Sequence, residues 1–231
     1  MSSRSLLSFP ARVGWRDHLV GAALATVYVV WLLSTASAIG VPRDEGVYFR
    51  SAMDYVGWWR SFFENGSAAL RPAAIDAAFG INHEHPVLMK TLFGVSWWFF
   101  HEKWHVFQDA STSWRFPAMC MGGAAVWLTY LFGARAWGRW AGAVGAALLG
   151  LIPQVFFHAH LACFDVPIMT MWIACVYVHW RGTQARGIAA TAGWAVAMGV
   201  VYGLTLETKH NAWMMPAVLV PHALFVFGRS L

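Results

Sequence analysis

"NHEHPVLMKTLFGVSWWFF", residues 82–100, decides how this chain is threaded. His83, Glu84 and His85 precede Pro86, and the residues from Pro86 to Phe100 are largely apolar. Were this stretch to cross a membrane, every later turn would change sides. Its fifteen residues fall short of the roughly 20 that a hydrocarbon core about 30 Å thick requires, and Lys90 lies inside it. An amphipathic helix lying in the membrane interface fits better.

The arginines test this threading. Candidate spanning segments lie at about 18–40, 115–134, 140–161, 166–181, 188–206 and 213–228. Arg4, Arg12 and Arg16 precede the first. Arg135 and Arg139 follow the second, Arg181 and Arg186 the fourth, and Arg229 the sixth. With residues 86–100 kept out of the count, all of them fall on one side, as the positive-inside tendency requires. The organisation is therefore a cytoplasmic tail (1–17), a first transmembrane helix (18–40), an external loop with juxtamembrane helices (41–114) and five further helices (115–231). The first apolar run exceeds the about 7 to 15 residues of a signal-peptide core and reads as a retained helix. The chain ends at "FGRSL" directly after an apolar segment, which reads as the N-terminal part of a longer protein.

Composition supports an all-α polytopic membrane protein. Of 231 residues 58% are apolar, only 12% are charged, and 15 are Trp. A soluble domain has no use for so much apolar surface. The net charge of +5 comes from cations placed singly at the ends of apolar runs, a topology signal rather than a nucleic-acid patch. Cys120, Cys163 and Cys175 have neither disulfide-framework nor metal-finger spacing. Paired Trp58 and Trp59, Trp97 and Trp98, with Trp104 and Trp114, suit segments resting at the headgroup level. Ala141 with Gly145 and Ala146 with Gly150 suit close helix packing.

On this threading four polar clusters share the external face: "RDEGVYF", "NHEHP", "FHAHLACFDVP" and "LETKHN". Asp44 and Glu45 follow Pro42 where the chain leaves the bilayer. A carboxylate in a poorly hydrated site there is suited to proton abstraction, and the plainer reading is a solvated loop start with a capping Asp. Asp165, just before Pro167, is either a helix cap or a face-mate of His158, seven residues earlier. Lys209 either snorkels to headgroups or meets a phosphate as a point charge. Arg115 is equally a lipid anchor or a substrate contact. His83, Glu84, His85, His158, His160 and Asp165 include potential ligands for a divalent metal: imidazole with carboxylate suits zinc, carboxylate alone magnesium or manganese. "HEKWH" at 101–105 resembles a zincin motif only loosely and carries no weight. "NGS" at 65–67 is a glycosylation sequon outside the membrane.

The order of these pieces forms a pattern. "DEGVYFR", "HEHPVLMK", "WRFPAMCMGGAAVWLTYLFGARAWGRWAG", "HLACFDVPIMTMW" and "GLTLETKHNA" occur in the order in which they appear in GT-C glycosyltransferases. The chain resembles the branch of protein O-mannosyltransferases and ArnT-like aminoarabinose transferases over about residues 18–220. The resemblance implies transfer of a sugar from a polyprenyl phosphate to a lipid, protein or glycan acceptor, in a bacterial inner membrane with the site facing the periplasm. It implies Asp44 as the catalytic acid of the first loop, Glu45 as its acidic neighbour and Asp165 as the later carboxylate. It puts Lys209 at the donor phosphate, and Glu84 and His85 on a segment beside that phosphate and a metal; the residues themselves add Arg115 or His85 as a second phosphate contact and His158 as a metal ligand with Glu84. His85-Pro86-Val87 departs from the family by lacking a second proline. A lipid transporter is the competing class, disfavoured because charges near the midplane of the spans are nearly absent, His222 excepted. A non-catalytic fragment that binds carrier lipid is the third.

Overall fold

Prolines punctuate the chain. Pro42 and Pro86 immediately precede helices, and Pro72 and Pro153 occupy the first helical position, where a missing N–H costs nothing. The computed structural model describes residues 13–228, whose regular structure is helical throughout. Ten helices follow in order: α1 (Trp15–Thr35), α2 (Arg43–Asn65), α3 (Pro72–Phe79), α4 (Val87–Trp97), α5 (Ala110–Trp137), α6 (Arg139–Leu151), α7 (Pro153–Ala159), α8 (Asp165–Thr183), α9 (Ile188–Leu206) and α10 (Met215–Gly228). Arg4, Arg12 and Arg229, on which the threading drew, lie outside the described residues.

Among the described residues, three helices are long and apolar enough to cross a membrane: Trp15–Ala38, Ala110–Trp137 and Ile188–Leu206. A fourth is reached if α6 and α7 count together. The number expected from sequence, about six, is thus not met by length and apolarity alone. The segment read as continuous over 140–161 bends by 68° between α6 and α7. Pro153 is the cause: it holds Ile152 in an extended conformation (φ −63°, ψ 118°) and cannot donate to the turn before it. Helix α8 has the length but carries Asp165, His179 and Arg181, and α10 is 14 residues long. The solvent inferred from composition agrees with α9, where Val196 and Val200 are exposed and only 6% of the apolar window is buried.

Helix α5 is the hub, packed against α1, α4, α6, α7 and α8. Gly138 (φ 100°) allows the sharp turn from α5 into α6. The two helices then approach so closely that a Cβ on Gly142 would lie 2.6 Å from the Ala134 amide nitrogen. One core gathers Tyr28, Leu32, Met119, Val126, Tyr130 and Ala146 between α1, α5 and α6. A second gathers Ala52, Met89, Phe93, Trp114, Ala118 and Phe164 where α2, α4 and α5 meet.

The deciding stretch is short. At 11 residues and about 1.5 Å per residue, α4 reaches little more than half of a hydrocarbon core. It continues as a wider turn over Trp98–Lys103, and the chain then reverses at His105 (φ 52°). It is amphipathic in place: Met89, Phe93 and Gly94 face α2 and α5, while Val87 and Leu92 are exposed. Lys90 is fully buried, donates to the Asn82 carbonyl at 2.6 Å, and faces the Tyr55 ring at 4.9 Å from its centroid.

Candidate active site

The end of α2 that begins at Arg43 is anchored from inside. Glu45 is 1% exposed and its Oε1 and Oε2 accept from Arg115 Nε (3.0 Å) and Nη2 (2.7 Å). Oε1 also accepts the Ala162 amide at 2.7 Å. Arg115 is itself fully buried, and its remaining bonds run to the carbonyls of Ile39 (3.0 Å) and Gly40 (2.7 Å). The pair therefore ties the exit of α1, the start of α2, α5 and the turn before α8 into one joint. This corrects two expectations. Arg115 does not face the site and has no free edge for a phosphate, and Glu45 is the partner of a buried guanidinium rather than a free acid beside Asp44. The reason is solvation: a guanidinium at this depth is tolerable only if its N–H groups are satisfied by protein.

What the joint holds in place is Asp44, one residue earlier. It is exposed, in the first turn of α2, and makes no side-chain hydrogen bond among the described residues. It lines a cavity of about 140 Å³ together with Tyr48, His85, His158, Cys163, Asp165 and Lys209. Six of the eight sequence-predicted residues thus border one space: Asp44, Asp165, Lys209, His85, His158 and, with its carboxylate turned to Arg115, Glu45.

Asp165 opens α8 but does not cap it. Its Oδ1 accepts from Lys209 Nζ at 2.8 Å, and its Oδ2 lies 3.2 Å from His158 Nδ1. Lys209 comes from the turn after α9, which is moored by two contacts: the Leu88 amide donates to the Glu207 carbonyl at 3.2 Å, and Thr205 Oγ1 lies 3.2 Å from Cys175 Sγ on α8. Asp165 and Lys209 side chains are 50% and 31% exposed. A pair that wet contributes about 0–1 kcal/mol to stability, so it can open for a ligand at little cost.

His85 stacks on Phe164 (centroids 4.7 Å apart, planes 23°) and meets the edge of Tyr48 at 5.9 Å. Burial pushes its imidazole below the ordinary range, only partly opposed by Glu84. At neutral pH it is a hydrogen-bond donor or acceptor rather than a fixed cation. Glu84 is not on the cavity wall: it is exposed and accepts from Asn82 Nδ2 at 2.6 Å. The metal set that paired Glu84 with His158 is therefore not brought together. His158 is instead grouped with Cys163 and Asp165, whose donor atoms all lie within 4.8 Å of one another. Nitrogen, sulfur and carboxylate donors suit zinc, and His158 Nδ1 is buried and lies 3.2 Å from Asp165 Oδ2 without a well-aligned hydrogen bond. His160 stays in the core, with Nδ1 2.8 Å from the Phe156 carbonyl and Nε2 3.0 Å from the Leu32 carbonyl.

Sequence reasoning missed Tyr48, Cys163 and Phe164 as wall residues. Cys163 and Phe164 sit inside the quoted "HLACFDVP", so the signal was their nearness to Asp165. A further cavity is bounded by Gln154, His158, Asp165 and Met169, and Met169 also borders an apolar groove of about 660 Å³ between α5, α6 and α8, walled by Phe132, Trp137, Ile168 and Trp172. No curated protein and no solved structure matches the chain. The family described as dolichyl-phosphate-mannose-protein mannosyltransferase matches residues 94–231, more than half of the chain, across α5 to α10 and the Asp165–Lys209 pair. The chain belongs to that family, and so to the membrane glycosyltransferases.

Proposed function

We propose that this chain transfers a sugar from a polyprenyl-phosphate donor to a hydroxyl of a lipid, protein or glycan acceptor at the external membrane face, the periplasmic face of a bacterial inner membrane. The observation that carries the reading is one cavity that joins Asp44, a carboxylate with no side-chain hydrogen bond among the described residues, to a solvent-accessible Asp165–Lys209 pair, with an apolar groove on the same helix α8. A lipid-linked phosphate needs these three things together.

In this mechanism Lys209 exchanges one Asp165 oxygen for the donor phosphate and offsets the negative charge that develops as the carrier leaves. Fixed charge of this kind is commonly the largest catalytic contribution. Asp44 accepts the proton of the acceptor hydroxyl, help worth about 10² to 10⁴-fold. Asp165 orients Lys209 and His158, and neutral His85 offers one N–H to the phosphate or the sugar. The buried Glu45–Arg115 joint holds Asp44 in position. The prenyl tail fits the groove walled by Phe132, Ile168 and Trp172. A divalent metal, for which zinc fits better than magnesium or manganese, would be held by His158, Cys163 and Asp165. When bound it would supply a Lewis acid to a phosphate oxygen.

The test is incubation of the purified chain with polyprenyl-phosphate sugars while free carrier phosphate is measured. Release that Asp44→Asn abolishes supports the mechanism. Binding without release favours a carrier-binding fragment instead, and release that persists in Asp44→Asn removes Asp44 as the base.

A further inference from the structure

The end of the bundle opposite the Asp44 cavity holds two arginines to which the described chain gives no acid. Arg135 lies about 30 Å along α5 from Arg115, at about 1.5 Å per residue, which is the thickness of a hydrocarbon core. Its Nε and Nη2 both donate to Gln184 Oε1, at 3.2 and 2.7 Å, and its guanidinium sits 5.7 Å from the Trp180 ring centroid. Arg181 donates from Nη1 to the Tyr177 hydroxyl at 3.0 Å and lies over Trp194, 4.9 Å from the centroid. Tyr177 and Trp180 are themselves in ring contact, with centroids 6.2 Å apart. The two guanidiniums thus flank one aromatic pair, close enough for the charge of Arg181 to act on Arg135.

A positive-inside bias accounts for the side on which these residues lie, but not for this arrangement. An arginine that only marks topology extends alone towards the headgroups. These two fold onto neighbouring rings, half-buried, where like charges repel more strongly than in water. Among the described residues no carboxylate pairs with either. Arg139, at the start of α6, shows the alternative, paired with Asp17 at 2.6 Å. The acceptors that Arg135 and Arg181 have, an amide oxygen and a phenol oxygen, are neutral, and N–H groups of both forks keep no partner among the described residues. What complements two adjacent forks is an anion with several oxygens, and phosphate has that geometry. Trp180 and Trp194 suit the headgroup level, so a phosphate met there is one carried by a lipid.

We propose that Arg135 and Arg181 together bind the phosphate of an anionic phospholipid in the leaflet opposite the Asp44 cavity. The site is independent of sugar transfer, and so is its test. The full chain in neutral detergent is titrated with phosphatidylglycerol or with phosphatidylcholine of the same acyl chains, and bound lipid is counted by native mass spectrometry. The parent should prefer phosphatidylglycerol. Arg135→Gln and Arg181→Gln should each weaken that lipid about fivefold, the effect of one basic contact at a membrane surface, and leave phosphatidylcholine unchanged. Arg181→Lys keeps the charge but loses the fork, and should fall between the parent and Arg181→Gln. Arg16→Gln removes an exposed charge next to Asp17, at the same end of the bundle, and should retain the preference; an equal loss there reveals general attraction to a basic surface and overturns the site. Thermal unfolding is compared within each protein, so that any stability lost in a variant cancels: phosphatidylglycerol should raise the parent midpoint and leave those of both Gln variants where they are. No preference in the parent, or a midpoint rise that survives in both Gln variants, overturns the proposal. An equal rise with inorganic phosphate alone assigns the site to a soluble anion and overturns the lipid.

Discussion

Glu45 and Asp44 are neighbours on one helix with opposite occupations, and this separation is the most direct check on the site. Replacing Glu45 by Gln keeps the shape but removes the charge and turns an amide N–H₂ towards Arg115. Of the five contacts in the joint, the two from Arg115 Nε and Nη2 to the carboxylate are the charge-assisted ones, and the guanidinium left behind is fully buried. Breaking a buried pair from one side costs about 3–5 kcal/mol, or roughly 10² to 10³-fold or somewhat more in the folding equilibrium. Asp44→Asn, one residue away, alters an exposed side chain with no hydrogen bond among the described residues and should change stability by less than about 0.5 kcal/mol. Both variants are titrated with denaturant in the same mixed micelles, and sugar transfer is measured below the transition. Glu45→Gln should shift the midpoint strongly, and Asp44→Asn should abolish transfer at an unchanged midpoint. A Glu45→Gln protein as stable as the parent would refute the joint.

Lys209→Ala should lower transfer by about 10²-fold or more while thermal unfolding barely moves, since the exposed ion pair contributes about 0–1 kcal/mol; near-normal turnover would exclude Lys209 from the phosphate. Gly142→Ala places a methyl 2.6 Å from the Ala134 nitrogen, and overpacking there should cost about 1–3 kcal/mol, read as a lowered unfolding midpoint. Burial lowers the Lys90 ammonium from 10.5 to about 8. The folded chain then binds fewer protons than the unfolded one between these values, so stability rises with pH across that window and is lost as pH falls through about 8. Lys90→Met should flatten this slope in unfolding curves recorded from pH 7 to 11. Cobalt(II) added to the parent should give a thiolate-to-metal charge-transfer band that Cys163→Ser removes; a spectrum indifferent to Cys163 would discard the metal set.

Much of the architecture was legible in the residues. The short apolar run at 86–100 and the prolines before α2 and α4 and at the start of α3 and α7 are local signals, because helix length and backbone hydrogen bonding act on each segment separately. The kink at Pro153 was equally local but lay inside an apolar run, where hydropathy hides it. Asp44, Asp165 and Lys209 could be singled out as polar groups at helix ends on one face. What sequence could not distinguish was a carboxylate that works from one that supports. Asp44 and Glu45 are adjacent acids, and only the packing of α5 against the exits of α1 and α2 decides that one faces water and the other Arg115. The same holds for Glu84 and Cys163, of which the less conspicuous one lies beside His158. Segment type follows from short-range chemistry, but the burial that gives Glu45 its partners depends on Arg115 and Ala162, 70 and 117 positions away, and that distance closes only when the helices pack.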